Sequence, residues 1–189
     1  MLRKISSLIL KISGWTTIME PHLEYQRCVL LMAPHTSNWD FVIGRLALWS
    51  IGLKTNFLIK KEVFFFPLGP LLKAMGGVPV DRSQSNNVVR DIALKLNNAE
   101  QMIIVITPEG TRSLRKEWKK GFYYIASIAE VPILLGYLDY AKKVAGITAM
   151  LYPTDNYKSD LAKIYDFYKD FTALYPEKFN LSPMYRKEV

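Results

Sequence analysis

Short apolar runs alternate with longer amphipathic stretches along most of this chain, and that alternation narrows the possible fold more than any other feature. Residues 28–33, Cys-Val-Leu-Leu-Met-Ala, stop at Pro34 and read as a buried strand. Residues 102–106, Met-Ile-Ile-Val-Ile, make the clearest central strand, and shorter runs fall at 55–59, 78–82, 132–138 and 146–151. Pro79 cannot donate to a ladder, so the 78–82 run is expected at an edge or a sheet end. Between these runs, residues 37–53, 85–99, 117–130 and 158–174 carry helical periods. Val88, Val89, Ile92, Leu94 and Leu96 are the expected buried face of the 85–99 helix. Ser37 or Asn38 caps the 37–53 helix, with Asp40 in its first turn, where negative charge is favoured. The alternation predicts one α/β domain over residues 1–189, with a mixed, mostly parallel sheet covered by helices on both faces. Residues 62–75 break the pattern. They are rich in Phe and Leu but interrupted by Pro67, Gly69 and Pro70, so part of the stretch is expected to stay exposed or to line a pocket.

At the N-terminus, Leu2, Ile5, Leu8, Ile9, Ile12, Trp15 and Met19 fall at steps of three and four, the stripe of an amphipathic helix over residues 1–19. Such a helix lies in a bilayer interface or packs on its own domain, and both readings fit the pattern. No apolar run reaches the roughly 18 residues of a spanning helix, and no secretory signal is evident, because Lys11 interrupts the apolar stretch. A peripheral or monotopic protein on the cytoplasmic face of a membrane is expected. The net charge of +8 attracts anions without saying which: nucleic acid, an anionic bilayer or a phosphorylated small molecule. A single cysteine, Cys28, excludes an intrachain disulfide. With only His22 and His35 beside it, a His/Cys zinc cluster is nearly excluded, and no metal is expected.

His35-Thr-Ser-Asn-Trp-Asp40 follows the 28–33 strand. On one regular helix these two side chains would point about 140° apart. They meet if His35 occupies the turn and Asp40 the first helical turn. Asp40 then accepts from one ring nitrogen and leaves the other free as a base. A lone histidine before a helix is otherwise a structural residue. Pro108-Glu109-Gly110-Thr111-Arg112-Ser113 stands at the carboxyl end of the 102–106 strand, where ligands bind in open α/β sheets. Gly110 permits close backbone approach, and Arg112 offers a fork for phosphate or carboxylate. The alternative is a turn with a surface ion pair. Arg82, at another strand end, either shares such an anion or pairs with Asp81. Lys60, Lys61, Arg115, Lys116, Lys119 and Lys120 are a solvated face or a surface that steers anions and lipid.

In order, His35-X4-Asp40, Gly76-Gly77-Val78-Pro79-Val80-Asp81-Arg82, Pro108 to Ser113 and Val131-Pro132-Ile133 closely resemble the four motif blocks of the glycerolipid acyltransferase family. That family includes the lysophosphatidic acid acyltransferases. The resemblance covers roughly residues 28–138. It implies that His35 is a general base and Asp40 its orienting partner. It implies that Glu109, Gly110, Thr111 and Arg112 hold the acceptor's phosphate, and that Arg82 is the second-block arginine. Pro132 matches the proline that shapes the acyl-binding side, and Lys61 stands where members often carry a basic residue. Phe65 and Leu68, in the 64–75 stretch, are further acyl-binding candidates, with ordinary core as the alternative. The chain departs from the pattern at Pro34, where many members have Asn, and at Thr107, where Phe is common. Its fourth block lacks a second proline. Only 34 residues precede His35, so a long membrane hairpin is not expected to fit there in full.

The resemblance implies transfer of a fatty acyl group from acyl-CoA or acyl carrier protein to a lipid hydroxyl. Lysophosphatidic acid or another lysolipid is the expected acceptor, an anionic membrane surface the expected partner, and the thioester the only co-substrate, with no cofactor. An amino-acid-containing lipid or a glycolipid as acceptor stays open, as does a non-catalytic lipid-binding protein. A nucleic-acid binder would need neither motif, so nucleic acid is not expected as a partner. No Gly-X-Ser-X-Gly elbow is present, which suits direct transfer without an enzyme nucleophile.

Overall fold

The computed structural model describes residues 1–20, 22, 26–81, 85–154 and 156–181. The elements run α1 (Leu2–Ile12), β1 (Thr16–Met19), β2 (Arg27–Ala33), α2 (Asn38–Ser50), β3 (Asn56–Lys60), α3 (Leu68–Ala74) and β4 (Gly77–Val80). They continue with α4 (Ser85–Asn98), β5 (Met102–Ile106), α5 (Gly121–Ala129), β6 (Ile133–Asp139), β7 (Val144–Leu151) and α6 (Tyr157–Tyr168). The strands form one sheet in the order β1-β7-β6-β2-β5-β3-β4. Every pairing is parallel except β6 with β7. This is the mixed, mostly parallel α/β sheet expected, and β4 with Pro79 closes one end of it.

Period-two alternation in β2 feeds two cores at once. Val29, Leu31 and Ala33 point into a cluster with Ile92 and Leu96 of α4, Phe122 of α5 and Ile164 of α6. Cys28 and Leu30 point to the other face, against Leu48 of α2, with Ile103 and Leu134 from the neighbouring strands. Both faces are therefore covered, as the run of consecutive apolar residues requires. Leu94, expected among the buried residues of α4, is half exposed, because the α4 face that meets the sheet is set by Ile92, Ala93 and Leu96.

The N-terminal stretch departs most from expectation. The helix ends at Ile12, not residue 19. Gly14 takes a positive φ of 79°, and the amides of Gly14 and Trp15 fold back onto the carbonyls of Lys11 and Leu10. The β-branched residues Thr16, Thr17 and Ile18 then join β7 as an edge strand. The helix seats itself through Ser6 and Leu10, with Arg3 Nε donating to Ser50 O at 3.1 Å. The stripe Leu2, Ile5, Leu8, Ile9 and Ile12 is left facing outward. Three other helices are shorter than their periods suggested: α2 stops at Ser50, α5 starts at Gly121, and α6 stops at Tyr168.

Among the described residues, no helix is long and apolar enough to cross a membrane.

Candidate active site

Because β2, β3, β5 and β6 are parallel neighbours, their carboxyl ends share one edge of the sheet. The segment after β2 enters α2 through a tight cap. Ser37 is the N-cap, its Oγ accepting from the Trp39 amide at 3.1 Å. Asp40, three residues on, reaches back. Its Oδ2 accepts from the amides of Ser37 and Thr36 at 2.7 and 2.5 Å. This capping box satisfies N–H groups that the helix itself leaves open. It also brings Asp40 Oδ2 to 3.5 Å from His35 Nδ1, which turns the ring's other nitrogen away from the carboxylate. The separation is long for a hydrogen bond, as is common before a substrate tightens a site. Tyr140, in the turn after β6, donates from Oη to Asp40 Oδ1 at 2.6 Å.

Two carboxyl groups flank His35. Burial pushes the Asp40 carboxyl up, but the His35 ring beside it and hydrogen bonds from Tyr140 and the Ser37 and Thr36 amides outweigh it and hold the group below its ordinary range. Asp40 is therefore an anion at neutral pH. Glu109, after β5, is 4% exposed, and its Oε1 accepts the His35 backbone N–H at 2.9 Å. Burial raises its carboxyl to about 8, against hydrogen bonds from its own amide and that of His35, with the Asp40 charge adding to the rise. Its Oε2 has no hydrogen-bond partner among the described residues.

Gly110 continues the loop at a φ of 63°, and a Cβ there would meet Lys119 Cε at 2.7 Å. Glycine thus lets the turn form and lets the lysine stem cross it. Arg112 donates to Asn38 Oδ1, tying this loop to the start of α2 beside His35. A cavity of about 820 Å³ opens between these groups, touching His35, Asn38, Asp40, Gly110, Arg112 and Lys119. Its remaining wall is chiefly apolar, with Met32, Phe41, Leu48, Phe57, Leu58 and Val105 from α2 and the sheet. Arg45 also lines it, held by Thr55 Oγ1 at 2.7 Å and set between the rings of Trp49 and Phe57. An imidazole oriented by a carboxylate, at the mouth of an apolar cavity with cations alongside, is equipped for base chemistry on a long apolar substrate that carries an anionic group.

The sequence model of a family described as Acyltransferase matches residues 16–134, more than half of the chain. The chain belongs to that family. Its fold is similar to the crystal structure of the 1-acyl-sn-glycerophosphate (LPA) acyltransferase PlsC from Thermotoga maritima, with a TM-score of 0.63 at 17% identity. The similarity covers 88% of this chain and 74% of that one. No curated protein matches it.

The expected site residues of this acyltransferase fall into three groups. His35, Asp40, Gly110 and Arg112 meet at the cavity. Glu109 adjoins them but is buried against the His35 backbone and does not line the cavity. Thr111 sits in the loop, its Oγ1 accepting from the Ser113 amide at 3.3 Å. The other described ones do not line the cavity. Lys61 is exposed in a short turn after β3, on the same sheet edge. Phe65 is exposed and Leu68 half-buried, and neither reaches the cavity wall. Pro132 is buried just ahead of β6, its carbonyl accepting from Val29 N at 3.1 Å. That is the opposite end of the sheet from His35, because β6 runs parallel to β2. Arg82 lies outside the described residues. Sequence reasoning missed Asn38 as a partner for Arg112, Lys119 as a cavity residue beyond the general basic set, and Tyr140 altogether.

Proposed function

We propose that this acyltransferase moves a fatty acyl group from an acyl-CoA or acyl carrier protein thioester to the hydroxyl of a lysolipid, with lysophosphatidic acid the best-fitting acceptor. One observation carries the reading: His35, oriented by Asp40, shares an apolar cavity with Arg112 and Lys119. Neither cation forms an ion pair among the described residues.

His35 Nε2 takes the proton of the acceptor hydroxyl while Nδ1 faces Asp40. The oxygen attacks the thioester carbonyl carbon and gives a tetrahedral oxyanion. The carbon–sulfur bond then breaks, the ester carbonyl re-forms, and His35 returns the proton to the departing thiolate. No residue of the chain is acylated. Cys28 is unsuited to that role, because burial raises its thiol to about 12 and keeps the thiolate scarce. General base catalysis gives roughly 10²- to 10⁴-fold. The remainder comes from holding both substrates in place. The thioester itself delivers the acyl group, so the reaction needs no bound cofactor. The apolar wall takes the acyl chain, and Arg112 with Lys119 takes the acceptor's phosphate. The outward stripe of α1 lies in the surface of an anionic membrane, which supplies the acceptor.

The test is product formation from acyl-CoA and from acyl carrier protein donors, with lysophosphatidic acid and an uncharged monoacylglycerol as acceptors. The expected result is diacylated product from the phosphate-bearing acceptor, with an acceptor KM that rises in Arg112→Ala while the donor KM holds. Equal use of the uncharged lipid would contradict a phosphate-directed site.

A further inference from the structure

The turn between β6 and β7 carries a tyrosine to the candidate carboxylate from 100 positions away. Asp40 Oδ2 is occupied by two backbone amides and faces His35, and Oδ1 is left to Tyr140 Oη at 2.6 Å. The phenol is itself fixed. The Tyr140 amide donates to Thr172 O at 2.9 Å, and Asp139 Oδ1 closes the turn by accepting from the amides of Ala141 and Lys142. Trp15 meets the phenol ring edge-on, with centroids 5.0 Å apart at 89°. Trp15 is 7% exposed and packs with Leu10, Ala47 and Leu138. Both aromatic residues lie outside residues 16–134, the span of the family match.

We propose that Tyr140 is a positioning residue for acyl transfer: its hydroxyl pins the Asp40 carboxylate with Oδ2 turned to His35, and Trp15 holds the phenol in place. The proposal rests on the reading of His35 and Asp40 as the working pair. The terminal torsion of an aspartate is broad, so a carboxylate held at one oxygen alone retains freedom to swing. A second bond on the other oxygen, charge-assisted and short, removes that freedom. The N-terminal segment thereby has two faces. Its outer stripe is free to meet lipid, while Leu10 and Trp15 on the inner side brace the site.

The groups facing Asp40 are His35, Tyr140 and the amides of Thr36 and Ser37, with the Glu109 carboxyl acting through space and Tyr175 beside the phenol. Removing the phenolic O–H takes away one of the bonds that oppose burial, so the Asp40 carboxyl must rise.

The experiment compares wild type, Tyr140→Phe, Trp15→Leu and, as a control for the loss of a hydroxyl on α5, Tyr124→Phe. In Tyr140→Phe, kcat is expected to fall roughly ten- to a hundredfold, the span of one charge-assisted hydrogen bond, with both KM values unchanged. The acid limb of its kcat/KM profile moves to higher pH. Trp15→Leu falls in the same direction, and Tyr124→Phe matches wild type. Carbon NMR titration of Asp40 gives a readout that needs no substrate, and its midpoint rises in Tyr140→Phe. Wild-type kcat together with an unmoved Asp40 midpoint in Tyr140→Phe would overturn the proposal. A midpoint that moves in a protein with no turnover of any thioester would instead overturn the transfer reading and leave the Tyr140–Asp40 link standing.

Discussion

His35 is approached by two carboxyl groups that its surroundings tune in opposite directions. Asp40 is held ionised by the bonds it accepts, and Glu109 is pushed toward neutrality by burial. Pairs split in this way divide the work at many active sites. Here Asp40 serves the ring and Glu109 the backbone that carries it. Glu109 also makes stability depend on pH. Its folded value of about 8 stands above the ordinary 4.5, so the folded state holds a proton that the unfolded state has released. Stability from this group is full below about pH 4.5 and is lost as pH rises toward 8. Glu109→Gln keeps an oxygen for the His35 amide and removes the titration. Its unfolding free energy is expected to fall less than that of wild type between about pH 5 and 8, a difference on the order of a few kcal/mol at the upper end. Parallel curves would contradict the buried, protonated state. The Asp40 arrangement was legible in Ser37-Asn38-Trp39-Asp40, because a capping box is local. The inward turn of Glu109 was not, since it depends on β5 lying beside β2. Tyr140 had no local signal at all.

Among the elements, α1 and β1 show how period alone misleads. Trp15 and Met19 continue the apolar steps of the helix, yet Gly14 ends it and the β-branched residues after it pair with β7. The stripe itself was legible, but its direction was not. A helix of this kind usually turns its apolar side to the domain. This one seats Ser6 and Leu10 inward and leaves five large apolar side chains outside. The account predicts that Ile5→Ser with Ile12→Ser weakens sedimentation with vesicles of mixed zwitterionic and anionic lipid. The loss should be at least tenfold, because each buried isoleucine is worth about 1.5–3 kcal/mol. Turnover of a short-chain, water-soluble thioester should stay near wild type. Vesicle binding that ignores both changes would assign the membrane contact elsewhere. Phe66, fully outward in the stretch before α3, would be the next place to look.

Across the whole molecule, function follows from which strand ends are neighbours. Parallel pairing of β2 with both β5 and β6 sets the His35 turn, the Glu109 loop and the Tyr140 turn on one edge. The alternation of runs and periods was enough to foresee the sheet and its two covered faces. Strand order was not foreseen, and with it went the fate of Pro132, which belongs to the far edge, and of Phe65 and Leu68, which lie off the cavity. The central claim is that His35 and Asp40 act together in acyl transfer. Its most direct test is thiol release from acyl-CoA and acyl carrier protein donors, with and without lysophosphatidic acid, in wild type, His35→Ala and Asp40→Asn. The account predicts acceptor-dependent release that falls by roughly 10²-fold or more in both variants while each keeps its fold by circular dichroism. Release at the wild-type rate in folded His35→Ala would contradict it.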